Sequence, residues 1–447
     1  MTYRPLFHFT AERGWINDPN GLCFYKGKYH LFYQYNPHST EWGKMHWGHA
    51  ISSDLVNWEH LDIALSPDEW YEDDERGGCF SGSAMVIGDR LYLMYTATAG
   101  GKQRQCIAYS DDGLNFTKYD KNPIIEPPEG IHEERDPYIF RLHDRYLSLV
   151  GMPGKIELYS SCDLLSWNDE GCFYSLPPEM GSFVECPGIF FLGDEAFLTF
   201  SPMHFGCVGA PVTVIRGKMD ALSFIPSSVS SADSGPDFYA LQTFLTNKGE
   251  RCGFAWANGW EWMDDFRGFG PTEKEGWRGC MAFPRIYSLK EGHLSAFPVS
   301  EAEECYNIIE IDDRLKLTAE RTFLPRNDVF HLSLSLDPGI GDVPELEIGI
   351  YKDSTKELSL IVDFHSLAAY LVELSDGSVD RIFKTSFAEG EFSVDVFADK
   401  SITEIYLGKG YSSFTINTYR NEDYRGPWIR ALSGTIDATL RFSFSEE

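Results

Sequence analysis

The chain has 447 residues, with 38 Lys and Arg against 68 Asp and Glu, for a formal charge of −30. Its length allows two or three domains with sizeable cores, and 43% hydrophobic residues exclude a disordered chain. The acidic balance argues against a nucleic-acid partner, because a phosphate backbone would be repelled from most directions.

No run approaches the ~18 apolar residues of a membrane helix, and residues 1–8 hold no signal-peptide core. The expectation is a soluble, cytoplasmic protein with no membrane partner. Ten cysteines lie between Cys23 and Cys305, and none forms a C-x-x-C pair. They are expected to be reduced and structural, and no metal or cofactor is implied.

Four segments share a polar turn followed by a short apolar and aromatic run. They start at Gly27, Asp89, Asp144 and Asp194 and end at Tyr33, Tyr95, Val150 and Phe200. A second pattern follows the first three, an Asp four residues before an aromatic: Asp54 and Trp58, Asp112 and Phe116, Asp163 and Trp167. A strand-and-turn repeat of about 50–60 residues predicts propeller blades. After about residue 300 the repeat stops. Strands are predicted at 329–336, 346–351, 358–362, 392–397 and 440–444, with polar turns at 375–377 and 408–410. That alternation reads as an antiparallel β-sandwich. The expected domains are therefore a propeller over 1–300 and a sandwich over 301–447, with the junction in the acidic stretch after Pro298.

The acidic residues keep the repeat's phase. Asp18, Asp136 and Glu185 each stand about ten residues before their marker strand, and Ser81 takes that place in the second repeat. Equivalent positions in successive blades converge on one end of a central channel. Three like charges gathered there raise one another's ionisation cost, an arrangement suited to proton transfer and nucleophilic attack. The Pro19–Gly21 segment predicts a tight turn holding Asp18. Apolar neighbours of Glu185 predict a raised pKa and a protonated acid.

These motifs resemble glycoside hydrolase family 32, which contains invertases, fructanases and sucrose-6-phosphate hydrolases. The resemblance rests on Trp15–Gly21, Gln34 in Tyr33–Pro37, Trp42–His49, Phe80–Ser83, Arg135–Pro137 and Glu185–Cys186. Asp237–Ala240, Trp256–Asn258 and Gly279–Arg285 extend it, and Phe397–Tyr406 matches less closely. It implies an all-β fold, a five-bladed propeller followed by a β-sandwich. It implies retaining hydrolysis of β-fructofuranosides, with Asp18 as nucleophile, Glu185 as acid/base and Asp136 stabilising the transition state. Trp15, Asn17, Gln34, Trp42, Phe80, Ser81, Arg135, Asp237 and Trp260 would bind the fructosyl group.

The main alternatives are a sucrose-6-phosphate hydrolase, a fructosyltransferase and a non-catalytic carbohydrate-binding propeller. The last has no need of all three carboxylates. The sandwich is read as support, packing on the propeller or mediating a homodimer. Every residue from Asp68 to Glu75 is acidic except Trp70 and Tyr71. This run is expected to overhang the pocket, repel a substrate phosphate and favour neutral sugars such as sucrose and short fructo-oligosaccharides.

Overall fold

A computed structural model describes residues 2–203, 212–260, 270–336, 345–390 and 392–445. The architecture is all-β, a five-bladed propeller followed by a β-sandwich. Each blade starts with its innermost strand. These are Gly14–Tyr25, Gly78–Ile87, Arg135–Leu142, Phe183–Leu192 and Tyr239–Leu245, and each touches the next around a closed ring. The repeat segments read from the sequence are the second strands, Lys28–Asn36, Arg90–Ala99, Arg145–Met152 and Glu195–Met203, each antiparallel to its innermost strand.

The Asp-to-aromatic repeat is a turn leading into the fourth strand. Asp54 Oδ1 accepts from Val56 N and Asn57 N, Asp112 Oδ1 from Leu114 N and Asn115 N, and Asp163 Oδ1 from Leu165 N and Ser166 N. The residue after each Asp has a positive φ, at Leu55, Gly113 and Leu164. The side chain caps a turn the backbone could not otherwise satisfy. That local role explains why the pattern is visible in sequence.

The expected tight turn at Asp18 is absent. Asp18, Pro19 and Asn20 lie within the strand Gly14–Tyr25, whose pairing register slips between Ile16 and Pro19 and again between Asn20 and Cys23. Similar slips occur at Phe80/Gly82, opposite Arg135 between Leu149 and Gly151, at Glu185/Gly188 and at Tyr239/Gln242. Bulges re-aim side chains and free backbone groups. Here the freed amides bind the preceding blade. Gly82 N donates to Asn20 Oδ1 at 3.3 Å, Asp136 N to Thr96 Oγ1 at 2.9 Å, Cys186 N to Asp136 Oδ2 at 2.9 Å and Ala240 N to Ser201 Oγ at 2.9 Å. Asp136, Cys186 and Ala240 hold left-handed φ values of 66°, 46° and 55°. Such conformations cost about 1–3 kcal/mol each and persist where the surroundings enforce them.

The sandwich has two six-stranded sheets. One runs from Ile308–Leu317 at its edge to Ser412–Asn417, the other from Thr322–Phe323 to Ser378–Ser386. Their facing residues form one core that includes Phe330, Leu332, Leu346, Ile348, Val396 and Leu440. The acidic stretch after Pro298 is a short helix, Ser300–Glu304. By compactness one unit comprises Phe9–Ser231 and Phe238–Pro284, and the other Met1–His8, Ala232–Asp237 and Arg285–Glu447. The last unit thus takes Met1–His8, Ala232–Asp237 and residues 285–299, which a single cut near residue 300 would leave in the propeller.

Candidate active site

A pocket of about 470 Å³ in the propeller unit is lined by Asn17, Asp18, Gln34, Trp42, Arg76, Phe80, Ser81, Thr98, Gln103, Glu133, Arg135, Asp136, Glu185, Met203 and Trp260. Asp18 comes from the first blade, Ser81 from the second, Arg135 and Asp136 from the third and Glu185 from the fourth.

Asp18 is buried. Its Oδ2 accepts the Ser81 hydroxyl at 2.5 Å, and the Cys186 thiol stands 3.5 Å away. Its Oδ1 has no hydrogen-bond partner among the described residues. Burial first, and then the charge of Glu185, push its pKa up to about 6, against hydrogen bonds from Ser81, Asn17 and Cys186. Asp136 is also pushed up, by burial and by Glu185, while Arg135 pulls it down. Cys186 Sγ lies 3.7 Å from Asp136 Oδ2. Burial, with Asp136 and Asp18 beside it, holds this thiol well above the usual range, so it stays a protonated donor to both aspartates. The cysteines as a set were expected to be structural only; this one faces the carboxylates.

Glu185 is not in the apolar setting expected of it. Arg135 donates from Nε at 3.0 Å and Nη2 at 2.8 Å to Oε1, and the Tyr239 hydroxyl donates to Oε2 at 2.8 Å. Val184 and Cys186 are its neighbours in sequence, but the bulge after Glu185 re-aims the side chains, and the hydrogen-bond partners of its carboxylate are polar. The groups that hydrogen-bond Glu185 come from the third and fifth blades. Arg135 is held between Glu185, Glu133 at 3.7 Å and the face of Phe183 at 3.8 Å.

Two expected pocket residues are not among the lining. Trp15 lies behind it, stacked on Trp260 at 6.0 Å, and its indole N–H donates to Asn17 Oδ1 at 2.8 Å. It orients Asn17 rather than touching the pocket. Asp237 belongs to the other compact unit, where its Oδ2 accepts Asn417 N at 2.7 Å. Tyr239, two residues on, is the group that reaches Glu185. In the structure it takes the equivalent place in the fifth blade, since Arg135, Glu185 and Tyr239 each precede a residue with positive φ; the four sequence repeats did not extend to that blade. Arg76, Thr98, Gln103, Glu133 and Met203 were also missed; they come from loops and second or third strands that carry no phase.

The acidic run is largely paired. Lys118 binds Asp68 and Glu72, Lys44 Nζ lies 2.5 Å from Asp73, and Asp74 accepts Arg76 N at 2.9 Å and Gly100 N at 3.0 Å. None of these carboxylates lines the pocket, and the segment's lining residue is the cation Arg76. The expected position of the run over the pocket is not met by its carboxylates. Among the described residues one trio, Glu303, His331 and Asp395, has metal-compatible spacing within 4.8 Å, but Lys409 Nζ already sits 2.9 Å from Asp395.

The glycosyl hydrolases family 32 N-terminal domain matches residues 8–298. The chain belongs to glycosyl hydrolase family 32. A sucrose-6-phosphate hydrolase of Zymomonas mobilis is 35% identical, covering 99% of this chain and 92% of that protein. One from Escherichia coli is 37% identical over 68% of this chain and 66% of its own length. The structure of a family 32 beta-fructofuranosidase from Bombyx mori superposes with a TM-score of 0.84 at 27% identity, covering all of this chain and 94% of that one. Within family 32, then, this chain is a glycoside hydrolase by membership, and its pocket holds the carboxylates that such chemistry needs.

Proposed function

We propose that this enzyme hydrolyses terminal β-fructofuranosides, such as sucrose and short fructo-oligosaccharides, by double displacement. The observation that carries the reading is the meeting of Asp18, Asp136 and Glu185, each from a different blade, in one pocket. In the first step Asp18 Oδ1, which has no donor to displace, attacks the fructosyl anomeric carbon. The bond to the leaving oxygen breaks, and Glu185 gives that oxygen its proton. Glu185, now a carboxylate, then takes a proton from water as the water oxygen attacks the same carbon. The ester to Asp18 breaks, releasing fructose and restoring both side chains.

Ser81 and the Cys186 thiol both donate to Asp18 Oδ2, which fixes the carboxylate and leaves Oδ1 in line. Asp136 is held by the Cys186 amide and thiol, and its charge acts on the fructosyl ring as positive charge develops there. Arg135 and Tyr239 hold the two oxygens of Glu185 and set where its proton points. In this scheme Asn17, Gln34, Trp42, Phe80, Ser81, Arg135 and Trp260 position the sugar, with Trp15 acting through Asn17.

Incubation with sucrose tests the proposal. Glucose and fructose should appear in equal amounts with wild type and not with Asp18→Asn. Substrate left intact by the wild type, with sucrose and short fructo-oligosaccharides alike, would overturn it.

A further inference from the structure

We propose that Gln105 is a positioning residue for Asp136. Together with Thr96 it grips the backbone on both sides of Arg135 from behind the pocket, and so keeps the Asp136 carboxylate on the site. The inference rests on the fructosidase reading above and adds what holds the third carboxylate in place.

The need for a support comes from the backbone. Asp136 has a φ of 66°, a left-handed conformation that a residue with a Cβ keeps only where its surroundings enforce it. Its strand, Arg135–Leu142, is the last of its sheet, so one edge has no strand to bond. Side chains of the second blade take that place. Gln103 and Gln105 stand two residues apart on the strand Lys102–Ser110 and so point the same way. Gln103 Oε1 accepts Glu134 N at 2.9 Å, and Gln105 Nε2 donates to the Glu134 carbonyl at 2.7 Å. The Tyr159 hydroxyl donates to the Glu134 carboxylate at 2.5 Å, so Glu134 is tied at amide, carbonyl and side chain.

Thr96 carries the grip past Arg135. It lies directly opposite Gln105 across the strand pair, and its hydroxyl donates to Gln105 Oε1 at 2.8 Å. The same hydroxyl oxygen accepts Asp136 N at 2.9 Å. This chain of bonds has a single polarity. The Asp136 N–H only donates and the Glu134 carbonyl only accepts, so the Thr96 proton goes to Gln105 and the Gln105 nitrogen turns toward Glu134. Neither Thr96 nor Gln105 lines the pocket, and both are fully buried. What they supply is the placement of the two peptides that flank Arg135. Without them the left-handed Asp136 loses the bond on its own amide, and only the Cys186 amide and thiol still hold its carboxylate. The carboxylate is then free to pivot about those contacts.

The test measures kcat and KM on sucrose and on an activated aryl fructoside for Gln105→Met, Thr96→Val, the double variant and Thr96→Ser. Near-ultraviolet circular dichroism checks the fold. Gln105→Met and Thr96→Val should each lower kcat by about 30- to 100-fold on both substrates, with KM changed less than about threefold, because misplacing a group by ~1 Å costs on the order of a hundredfold. Azide should restore neither. The double variant should be no worse than either single one, since both break the same chain of bonds. Thr96→Ser, which keeps the hydroxyl, should keep more than about half of the activity. Gln105→Glu adds a signature in pH, and it decides the matter if Gln105→Met does not fold. As a neutral acid the new side chain accepts from Thr96 and donates to Glu134; as a carboxylate it has no proton to give. Its kcat should therefore fall as pH rises through an ionisation absent from the wild type, with the circular dichroism unchanged. Loss of the dichroism along with the activity would mark a merely structural role and overturn the proposal. So would wild-type kcat in Gln105→Met, a wild-type pH profile in Gln105→Glu, or additive losses in the double variant. A loss confined to sucrose and rescued by azide would place the effect on Glu185 and overturn it too. Fructose release from no substrate by the wild type would instead sink the fructosidase reading, and this inference with it.

Discussion

Two buried charge clusters, one in each compact unit, use the same residue types to opposite effect. In the sandwich unit His8 is fully buried between Asp399 and Glu404, with Nδ1 at 2.9 Å and Nε2 at 3.0 Å from their oxygens. Arg285 bridges Asp233 at 2.8 Å and Glu404 at 2.6 Å, and the Ser413 and Thr415 hydroxyls accept from the same Nη1 and Nη2. Every carboxylate there faces a cation. Burial would raise Glu404, but Arg285 and His8 outweigh it and hold it at about 2. In the propeller pocket Asp18, Asp136 and Glu185 meet beside Arg135, whose guanidinium pairs with Glu185, and Asp18 and Asp136 are pushed up. A cluster that balances its charges is a clamp. One that leaves a carboxylate oxygen unpartnered keeps a reactive group in place at a cost in stability, which is where function is expected.

The largest effect should separate the two in activity. Asp18→Asn is near-isosteric and should lower sucrose turnover by roughly four orders of magnitude while leaving the circular dichroism unchanged. Retention of a tenth of wild-type activity would break the assignment. Glu185→Ala should be strongly impaired on sucrose and much less so on an activated aryl fructoside, with azide restoring turnover. Asp136→Ala should lose similar activity on both substrates and gain nothing from azide. The reverse pattern would swap their roles.

In stability the ranking inverts. Arg285→Met leaves Asp233 and Glu404 buried without their cation and should cost about 3–5 kcal/mol by denaturant unfolding. Asp18→Asn should stabilise. A carboxylate raised from 3.8 to about 6 on folding weakens the native state as pH rises through that window. The variant's gain should therefore be absent below about pH 4 and reach roughly 3 kcal/mol at most above pH 6. A gain that is the same at pH 4 and pH 8 would refute the electrostatic account. Wild-type kcat/KM should fall on the acid side of about pH 6 as Asp18 takes up its proton.

His8 gives a smaller and opposite dependence. Burial alone would lower it, but hydrogen bonds to Asp399 and Glu404 raise it above 6.5 in the folded chain. Its stabilisation is full below pH 6.5 and is lost as pH rises through the folded value. His8→Gln should therefore cost most in mildly acidic buffer, by about 1–2 kcal/mol, and less in alkali. The smallest effect is expected from Trp15→Phe, which removes one hydrogen bond to Asn17 and should lower kcat/KM several-fold with little change in Tm.

What the sequence determined by itself is what neighbouring residues decide among themselves. The alternation of 329–336 gave a strand with those bounds, and the Asp54, Asp112 and Asp163 turns were legible because the side chain binds amides two and three residues on. The phase of Asp18, Asp136 and Glu185 survived too, because equivalent strands of a propeller enter the channel at equivalent points. Only the tertiary structure decided which groups those carboxylates meet. Arg135 and Tyr239 reach Glu185 across 50 and 54 residues, and Cys186 reaches Asp18 across 168. The pairing of the acidic run with Lys44 and Lys118, and the placement of Asp237 beside Asn417, are equally remote in sequence. Such contacts depend on blade closure and on bulges that turn a side chain by one position. A period-two strand pattern carries no record of either, because a slip of one residue reverses the face on which every later side chain lies.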